Sequence, residues 1–215
     1  MQTDRMPKIL VIDDDEDSGM LVTRMLQLHD YRAVTVSDST RALKAVDDEH
    51  PDLVLLDLVM PKIGGAEILE SIRKKYSRVE LPVVMLTAMD DSSSMANCFS
   101  LGANDYLAKP IDSIIAIARI STQLEMSQLY RENLAKKELE TLNAMIVTYN
   151  HEINNPLSAA MLSLPSDVRN ISQESLNEVR ASLERIASIV KKIEHLVHKS
   201  IHIDRYSDNS RIVRL

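Results

Sequence analysis

Aromatic residues and glycine are scarce in this sequence of 215 residues. It has no Trp, one Phe, six Tyr and four Gly. Apolar residues still make up 45% of the chain, which excludes general disorder. We therefore expect cores built from aliphatic side chains, and the length suits one or two domains.

Cysteine and long apolar runs are almost absent as well. Cys98 is the one cysteine, so no intrachain disulfide can form, which fits a reducing compartment. We expect Cys98 to be a buried residue without a chemical role. No apolar run approaches the ~20 residues that span a bilayer, and the N-terminus lacks the apolar region of a signal peptide. We therefore expect a cytoplasmic protein without membrane insertion.

Positive charge is also in short supply. The chain has 25 Lys and Arg against 32 Asp and Glu, a net charge of -7. Proteins that bind nucleic acids need a basic face for phosphate contacts. The sequence therefore predicts no nucleic-acid partner, although this net charge still permits a small basic patch.

Short apolar runs alternate with helical patterns over residues 1–122. The runs are typical of strands buried on both faces of a parallel sheet, and they lie at Lys8–Ile12, Ala33–Val36, Leu53–Leu56, Pro82–Leu86 and Asp105–Leu107. Helical patterns lie at Ser18–Leu28, Thr40–Val46 (with Ser39 as its N-cap), Ala66–Ile72 and Ile111–Gln128. This alternation predicts an α/β domain with a doubly wound, five-stranded parallel sheet.

Polar residues follow these strands at the carboxyl edge, where such sheets place functional sites. They are Asp13, Asp14, Asp57, Thr87 and Lys109. Three neighbouring carboxylates repel one another and need a cation, and oxygen ligands suit Mg²⁺. The lysine would pair with an added phosphate, and the threonine hydroxyl could donate to it. The pattern indicates a carboxylate nucleophile beside Mg²⁺, although an Asp pair after a strand is also often just a helix N-cap.

Residues 8–122 resemble a response-regulator receiver domain. The resemblance is carried by Asp13-Asp14, Leu56-Asp57-Leu58-Val59-Met60-Pro61, Gly64, Thr87-Ala88 and Tyr106-Leu107-Ala108-Lys109-Pro110. It implies a flavodoxin-like fold in two-component signalling, with a histidine kinase and/or another response regulator as the partner.

The resemblance also assigns a role to each matching residue. Asp57 would accept a phosphoryl group, and Mg²⁺ would be held by Asp13, Asp14, Asp57 and the carbonyl of Val59. Thr87 and Lys109 would engage the phosphate, and Thr87 and Tyr106 would be the switch residues, with Tyr106 as the switch aromatic. The Lys109–Pro110 bond would be cis. Val59 and Met89 occupy two positions that vary in this family, and neither side chain can orient water. We therefore expect a slowly hydrolysing aspartyl phosphate.

The connecting residues 123–138 are rich in helix formers, and no Pro or Gly occurs from Ile111 until Pro156. We expect one long helix to run out of the first domain. Its apolar pattern weakens between Met126 and Lys137, which predicts a stutter or an exposed stretch there. A flexible linker is the alternative interpretation.

Residues 139–203 carry apolar positions that alternate three and four residues apart, as in a helical bundle. They are Leu139, Leu142, Ile146, Tyr149, Ile153, Pro156 and Ala160, then Leu176, Val179, Leu183, Ile186, Val190, Ile193 and Val197. Ser175 and Glu178 suggest a capping box, and Pro165–Ile171 would form the turn. A lone hairpin buries one stripe, so we predict a homodimer through residues 139–203 that forms a four-helix bundle. Residues 204–215 would be a tail.

His151 lies about 200° round the first of these helices from Tyr149, so it should face water if Tyr149 and Ile153 face inward. Asn155 shares its face, and Pro156 should kink the helix. An exposed imidazole is a good nucleophile toward a phosphoryl group, Glu152 could accept its proton, and the Asn155 amide could position a water. We interpret the remaining histidines, His29, His50, His195, His198 and His202, as ordinary surface residues.

The stretch His151-Glu152-Ile153-Asn154-Asn155-Pro156-Leu157 resembles the H-box of histidine kinases, in their dimerisation and phosphotransfer domain. By this resemblance His151 is the phosphoacceptor, Glu152 its base, and Asn155 stands where phosphatase function places a water-orienting Thr or Asn. Only twelve residues of this sequence follow residue 203, so we expect it to have no ATP-binding domain and no autonomous ATP-dependent kinase activity.

These patterns favour a two-component protein that moves phosphoryl groups between Asp57 and His151 or onward to a partner, as a histidine/aspartate phosphotransferase. One alternative is a phosphorylation-controlled dimeric interaction module, or a phosphatase for a partner, without phosphate on His151. Another is a piece of a hybrid histidine kinase that lacks its ATP domain.

Overall fold

The structure is a computed structural model that describes residues 5–88, 92–164 and 171–207, and the side chains of all of these except residues 92–95 and 194–207. The chain divides into two compact units, Met1–Ala135 and Lys136–Leu215. In the described part of the chain, no helix is long and apolar enough to cross a membrane.

The first unit contains a parallel sheet of five strands in the order β2-β1-β3-β4-β5. The strands are β1 Lys8–Ile12, β2 Arg32–Val36, β3 Leu53–Asp57, β4 Val83–Ala88 and β5 Asp105–Lys109. This confirms the five-stranded parallel sheet predicted for the first domain, and strand bounds differ from the prediction by two residues at most. The strands β3, β4 and β5 are longer than the apolar runs in the sequence. Each run stops before the polar residue of the carboxyl edge, whereas the strand includes that residue.

Helices flank both faces of this sheet. They are α1 Glu16–Gln27, α2 Ala42–Glu49, α3 Gly65–Arg73, α4 Ser92–Leu101 and the start of α5 Ser113–Leu162, with a 3₁₀ turn at Ser39–Arg41. The sequence did not predict helix α4, because its first turn is Ser92-Ser93-Ser94 and shows no apolar periodicity.

The N-cap prediction for the second helical segment was wrong. Asp38, not Ser39, caps this segment, because its Oδ1 accepts the backbone N–H of Thr40 at 3.1 Å. Ser39 is buried, and its hydroxyl donates instead to the carbonyl of Pro61 at 2.7 Å. A serine before a helix thus ties the helix to a distant loop.

The aliphatic core has two halves, one on each face of the sheet. Alternate strand residues such as Leu56 and Met85 face α2, α3 and α4, and this half includes Cys98, which is buried as expected. The other half joins residues such as Leu55 and Leu86 to Val22 of α1 and to Ala116 and Ile120 of α5. Opposite faces of each strand are therefore both buried, as continuous apolar runs require.

Helix α5 begins after Asp112, whose Oδ1 accepts the backbone N–H groups of Ile114 and Ile115 at 2.9 and 3.0 Å. It is helical throughout residues 123–138, which argues against the flexible linker. Most of these residues are exposed, as expected, but Ser127 is only 2% exposed. Arg131 pairs with Asp52 at 3.6 Å. Contacts with the first unit therefore continue past the predicted end of the last receiver helix at Gln128.

The second unit is described by the remainder of α5 and by α6 Gln173–Ser207. The buried or partly buried residues on this part of α5 are Tyr149, Ile153, Pro156 and Ala160, as predicted. Leu139, Leu142 and Ile146, in the first part of the predicted stripe, are more than half exposed in the single chain, so their burial in a dimeric bundle stays a prediction. The covered stripe of α5 therefore begins near Tyr149.

Helix α6 is covered over only part of its predicted stripe. Its buried or partly buried residues among the described side chains are Ser175, Val179, Ser182, Ile186, Ile189 and Ile193. Leu176, Leu183 and Val190 belong to the same predicted stripe and are 47%, 56% and 41% exposed in the single chain, so their burial in a dimeric bundle stays a prediction. Val197 lies outside the described side chains.

The start of α6 also differs from the expected capping box. Ser172, and not Ser175, holds the first turn, because its hydroxyl oxygen accepts the backbone N–H of Ser175 at 3.0 Å. Most of the predicted turn Pro165–Ile171 and most of the predicted tail lie outside the described residues. Helix α5 continues through Pro156 to Leu162.

Candidate functional site

The carboxyl edge of the sheet collects the polar residues that the sequence singled out. Asp13 follows β1, Asp57 ends β3, Thr87 lies in β4 and Lys109 ends β5. The strands run parallel, so these ends meet at one side of the sheet. The sequence of each strand explains why the polar residues lie at this edge. The apolar residues of a strand fill the core, and the polar residue comes where the strand leaves the core.

Lys109 bridges two carboxylates at the centre of this edge. Its Nζ lies 2.8 Å from Asp13 Oδ2 and 2.7 Å from Asp57 Oδ2. Asp13 is fully buried and Asp57 is 8% exposed. A lysine that shares two carboxylates can neutralise negative charge added to either of them.

Burial and charge act in opposite directions on these groups. Burial raises the pKa of Asp57 and the neighbouring Asp13 charge adds to this, while the hydrogen bond and charge of Lys109 offset part of it. Burial lowers the pKa of Lys109, but its hydrogen bonds to Asp13 and Asp57 outweigh this and raise the pKa overall. Asp57 therefore carries its negative charge at a cost, which a further cation would relieve.

Asp13, Asp14 and Asp57 form a cluster that fits a divalent cation. Each offers a carboxylate oxygen, and these oxygens lie within 4.8 Å of one another. Asp14 is more open to solvent than the other two. Oxygen donors that leave room for several waters suit Mg²⁺, so the donor set agrees with the predicted magnesium site. The predicted Val59 ligand is a backbone carbonyl, and its role stays a prediction; its N–H donates to Asp57 Oδ1 at 3.4 Å.

Asp13 is not a simple helix cap. Asp15 caps α1 instead, since its Oδ1 accepts the N–H groups of Asp17 and Ser18 at 3.1 and 3.4 Å. The Asp13 carboxylate accepts from Asp15 N–H at 3.1 Å, from Ser18 Oγ at 2.9 Å and from Lys109. Within the Asp13-Asp14-Asp15 run, Asp15 therefore caps the helix and Asp13 belongs to the site.

Two other predicted site residues, Thr87 and Tyr106, make the following contacts. Thr87 is buried, and its hydroxyl donates to the carbonyl of Ala88 at 3.2 Å. Tyr106 is half-buried, with its ring centre 6.0 Å from that of Phe99 and 5.4 Å from the guanidinium carbon of Arg119. Their roles toward phosphate and as a switch stay predictions. The Lys109–Pro110 bond is cis, as predicted, and Met89 lies outside the described residues.

Gly65 is a site residue that sequence reasoning missed. A Cβ at this position would lie 2.0 Å from the carbonyl oxygen of Asp57, whereas a Cβ at Gly64 would meet nothing within 4 Å. The Gly65 N–H also donates to the carbonyl of Leu58 at 3.0 Å. The Gly-Gly pair signals a close approach of the backbone, but only the folded chain tells which of the two glycines makes it.

Ser18 and Ser39 are two further residues that sequence reasoning left out of the site. Ser39 fixes the loop after Asp57, because its hydroxyl donates to Pro61 and accepts the N–H of Ile63 at 3.3 Å. Ser18 fixes Asp13. A serine in a sequence gives no signal for such a contact, since its partner depends on how two loops meet.

The second candidate position lies in the second unit, on α5. His151, Glu152 and Asn155 are all exposed, while Tyr149 and Ile153 are half-buried. This agrees with the expected orientation of the helix. Their chemical roles, and any transfer between Asp57 and His151, stay predictions.

Comparison with known proteins agrees with the geometry of the first unit. A family model described as the response regulator receiver domain matches residues 9–121. The regulatory protein VanRc of Enterococcus gallinarum is 36% identical over 133 residues, 62% of this chain and 56% of VanRc. PhoP of Bacillus subtilis (strain 168), an alkaline phosphatase synthesis transcriptional regulatory protein, is 33% identical over 140 residues, 65% of this chain and 58% of PhoP.

A solved structure gives the same result. The crystal structure of NtrX from Brucella abortus matches with a TM-score of 0.57 and 32% identity, over 61% of this chain and 29% of that chain. The chain spans little more than half the length of the curated relatives it matches. The family match covers just over half of the sequence, and the carboxylates and lysine stand at the carboxyl edge. The chain therefore belongs to the response regulator receiver domain family.

Proposed function

We propose that this protein is a two-component signalling protein that accepts a phosphoryl group on Asp57, with Mg²⁺ held by Asp13, Asp14 and Asp57. The observation that carries this proposal is the position of Lys109, which bridges Asp13 and Asp57 beside the three clustered carboxylates. The natural donor is the phosphorylated histidine of a partner kinase.

The chemistry follows from these contacts. An oxygen of Asp57 attacks the phosphorus and forms an acyl phosphate, while the bond from phosphorus to the donor nitrogen breaks and its electron pair stays with the imidazole. Lys109 then exchanges its contact with Asp57 for the new phosphoryl oxygens. Bound Mg²⁺ would neutralise the negative charge that gathers on those oxygens.

Phosphorylation is tested with a small-molecule acyl phosphate as the donor. In the presence of Mg²⁺, intact-mass spectrometry at neutral pH should show one added phosphoryl group, and fragmentation should place it on Asp57. The Asp57→Asn variant should take up none, and chelation of Mg²⁺ should prevent labelling of the wild type. Equal labelling of Asp57→Asn would overturn the proposal.

A second phosphoryl station at His151 extends the proposal. It is supported by the exposure of His151, Glu152 and Asn155 on a helix whose Tyr149 and Ile153 are half-buried. A neutral imidazole there can attack a phosphoryl group, and the adjacent carboxylate can take its proton. Label that moves from Asp57 to a base-stable, acid-labile form in wild type, but not in His151→Ala, would support the relay.

Label confined to Asp57 in both proteins would contradict transfer from Asp57. The module that interacts with a partner, or dephosphorylates it, would then be favoured. The same experiment with a labelled partner receiver measures the phosphatase alternative, in which Asn155→Ala should slow the loss of label.

Exposed apolar residues of the second unit support the proposed homodimer of helical hairpins. Apolar residues beside the partly buried stripe remain open, namely Ile146, Leu157 and Met161 on α5 and Leu176, Leu183 and Val190 on α6, all of them 41% to 69% exposed. On each helix they are displaced from the buried stripe in the same rotational sense, by roughly 50–110° at 100° per residue.

Two antiparallel helices turn in opposite senses when viewed from one end. Residues displaced in the same sense along each chain direction therefore come to the same side of a hairpin. We infer that these six residues form one open apolar face, and a second copy would cover it with its own identical face, giving a four-helix bundle. His151 lies roughly 110° round α5 from the centre of this face and would stay accessible.

The relatives named as transcriptional regulators raise a nucleic-acid partner as a second candidate. Those names describe whole proteins, of which this chain matches little more than half. The net charge of -7 opposes that partner, so we retain the proposal that the chain binds no nucleic acid. A mobility-shift titration with duplex DNA at low salt should show no complex for the phosphorylated or the unmodified protein.

A further inference from the structure

Asp13 is the most buried carboxylate of the described site, and its position depends on three donors. Its Oδ1 accepts the N–H of Asp15 at 3.1 Å, and its Oδ2 accepts the hydroxyl of Ser18 at 2.9 Å and Lys109 Nζ at 2.8 Å. A carboxylate offers about four acceptor positions. These donors therefore occupy most of its capacity and fix the plane of the group.

Ser18 is itself held by the start of α1. Its backbone N–H donates to Asp15 Oδ1 at 3.4 Å, and the Asp15 N–H donates to Asp13. The contacts form a closed chain, in which Asp13 holds Asp15, Asp15 holds Ser18 and Ser18 holds Asp13. The next residue, Gly19, packs so closely that a Cβ there would lie 2.8 Å from the Thr35 methyl carbon. Ser18 therefore has little freedom to move.

The two donors to Asp13 Oδ2, Ser18 and Lys109, behave differently when Asp57 is phosphorylated. Lys109 is shared with Asp57, and it is the group that engages a phosphoryl group on Asp57 under the proposed function. When it does so, Ser18 remains as the other side chain among those described that donates to this fully buried carboxylate. Buried charge without donors is costly, and ligands of a metal need neighbours that orient them.

We propose that Ser18 is a positioning residue, which orients the Asp13 carboxylate toward a divalent cation and keeps it oriented when Lys109 turns to the phosphoryl group. This inference rests on the proposed cation site at Asp13, Asp14 and Asp57. Ser18 does not touch the cation or the phosphoryl group in this mechanism, and it acts through Asp13 alone.

The test measures Mn²⁺ binding by electron paramagnetic resonance, in which the signal of free Mn²⁺ falls as the ion binds to the unphosphorylated full chain. Loss of an outer-shell donor typically weakens metal binding at least about 10-fold. Ser18→Ala should therefore raise the Mn²⁺ Kd about 10-fold, while Ser18→Thr, which keeps the hydroxyl, should stay near the wild-type value. The thermal midpoint of Ser18→Ala without cation should fall only slightly, because the Asp15 N–H and Lys109 still donate to Asp13 and α1 keeps its Asp15 cap, while Ser18→Thr should match the wild type.

Ser71→Ala is the matched control. Ser71 also lies in a helix of the first unit, but its hydroxyl donates to the carbonyl of Glu67 at 3.0 Å. It should leave the Mn²⁺ Kd unchanged. Wild-type affinity in Ser18→Ala, or an equal loss in Ser18→Thr, overturns the role of Ser18 while the proposed function stands. Absence of any Mn²⁺ binding in the wild type overturns the cation site itself, and with it both proposals.

Discussion

The two units of the chain solve the problem of burying apolar surface in different ways. The first unit has a sheet with helices on both faces, and the side chains of Ile9, Leu10, Leu55 and Leu56 are fully buried. In the second unit, Ala160 and Ile189 are the buried aliphatic residues among those described, at 6% and 5% exposure. A single layer of two helices leaves one side of its apolar residues in water.

This difference teaches where each unit obtains its stability. The core of the first unit is large enough to tolerate an unfavourable group in the site. That group is the buried Asp57 carboxylate, whose burial is only partly compensated by Lys109. The second unit has apolar residues that no described element covers, as Leu183 at 56% exposure shows. We therefore expect the first unit to be sensitive to internal packing and the second to assembly.

The largest effect is expected from Gly65→Ala in the first unit. The added Cβ would lie 2.0 Å from the carbonyl oxygen of Asp57, so α3 or the end of β3 must shift. We expect the free energy of unfolding to fall by about 3 kcal/mol, measured by urea denaturation. Gly64→Ala is the control, because nothing lies within 4 Å of its Cβ. Equal stability of the two variants would show that the close approach is not rigid.

The next effect concerns assembly of the second unit. Leu183→Glu places a charge in the open apolar face, and burial of a Leu contributes about 1.5 kcal/mol or more per copy. Two copies per dimer should therefore raise the dimer Kd at least about 100-fold, measured by sedimentation equilibrium. Ser188→Glu adds the same charge on a different exposed side of α6 and should leave the Kd unchanged. A wild-type chain that sediments as a monomer would contradict the dimer.

A smaller effect is expected from the buried charge of Asp57, which should lower the stability of the protein at neutral pH. Because burial raises the pKa of Asp57 in the folded state, the folded protein binds this proton more tightly than the unfolded chain does. The contribution of Asp57 to stability is thus greatest below the unfolded pKa of about 3.9 and is lost as pH rises toward the folded value. We expect Asp57→Asn to be more stable than wild type by about 1 kcal/mol at neutral pH, with the difference shrinking in acid.

Asp38 gives the opposite sign and serves as the control. Hydrogen bonds from Thr40 lower the pKa of Asp38, so its contribution is present above the unfolded pKa and is lost as pH falls. Asp38→Asn should therefore not gain stability at neutral pH. Urea denaturation of the three proteins over a pH series measures both signs, and the same sign for both variants would contradict the assigned causes.

The sequence predicted the part of the fold that depends on periodicity. Strand cores, the polar ends Asp13 and Lys109, and the inward stripe of α5 from Tyr149 onward all follow from apolar spacing that burial imposes. It failed for caps and tethers such as Ser39 and Ser18, which find their partners through loop geometry that no local pattern encodes.

The α6 stripe shows a related limit of sequence reasoning. Val179 and Ile186 lie in the partly buried stripe, whereas Leu183 and Val190 are open. At 100° per residue these four side chains lie within roughly 60° of one another, so apolar periodicity shows one wide apolar stripe. It does not say which edge of that stripe is covered within the chain. The covered edge even includes the polar Ser182, which an apolar pattern cannot select.

The smallest expected effect lies at the end of the first unit. Arg131 pairs with Asp52 at 3.6 Å and its guanidinium donates to the carbonyl of Glu80 at 3.3 Å. Its side chain is 48% exposed, so Arg131→Ala should lower the free energy of unfolding by only about 0.5 kcal/mol. Hydrogen exchange should still quicken locally in residues 124–134, because this contact ties the helix to the first unit.

Asp52 gives the matched comparison for this contact. It also pairs with Arg5 at 2.8 Å and accepts the backbone N–H of Lys8 at 2.8 Å, so Asp52→Ala should cost more than Arg131→Ala. Because Arg131 and Asp52 pair with each other, the double variant should lose less than the sum of the two single losses. Two results together would contradict this contact: the losses of unfolding free energy are fully additive in the double variant, and Arg131→Ala leaves hydrogen exchange in residues 124–134 unchanged. The contacts between the first unit and α5 would then end before Arg131.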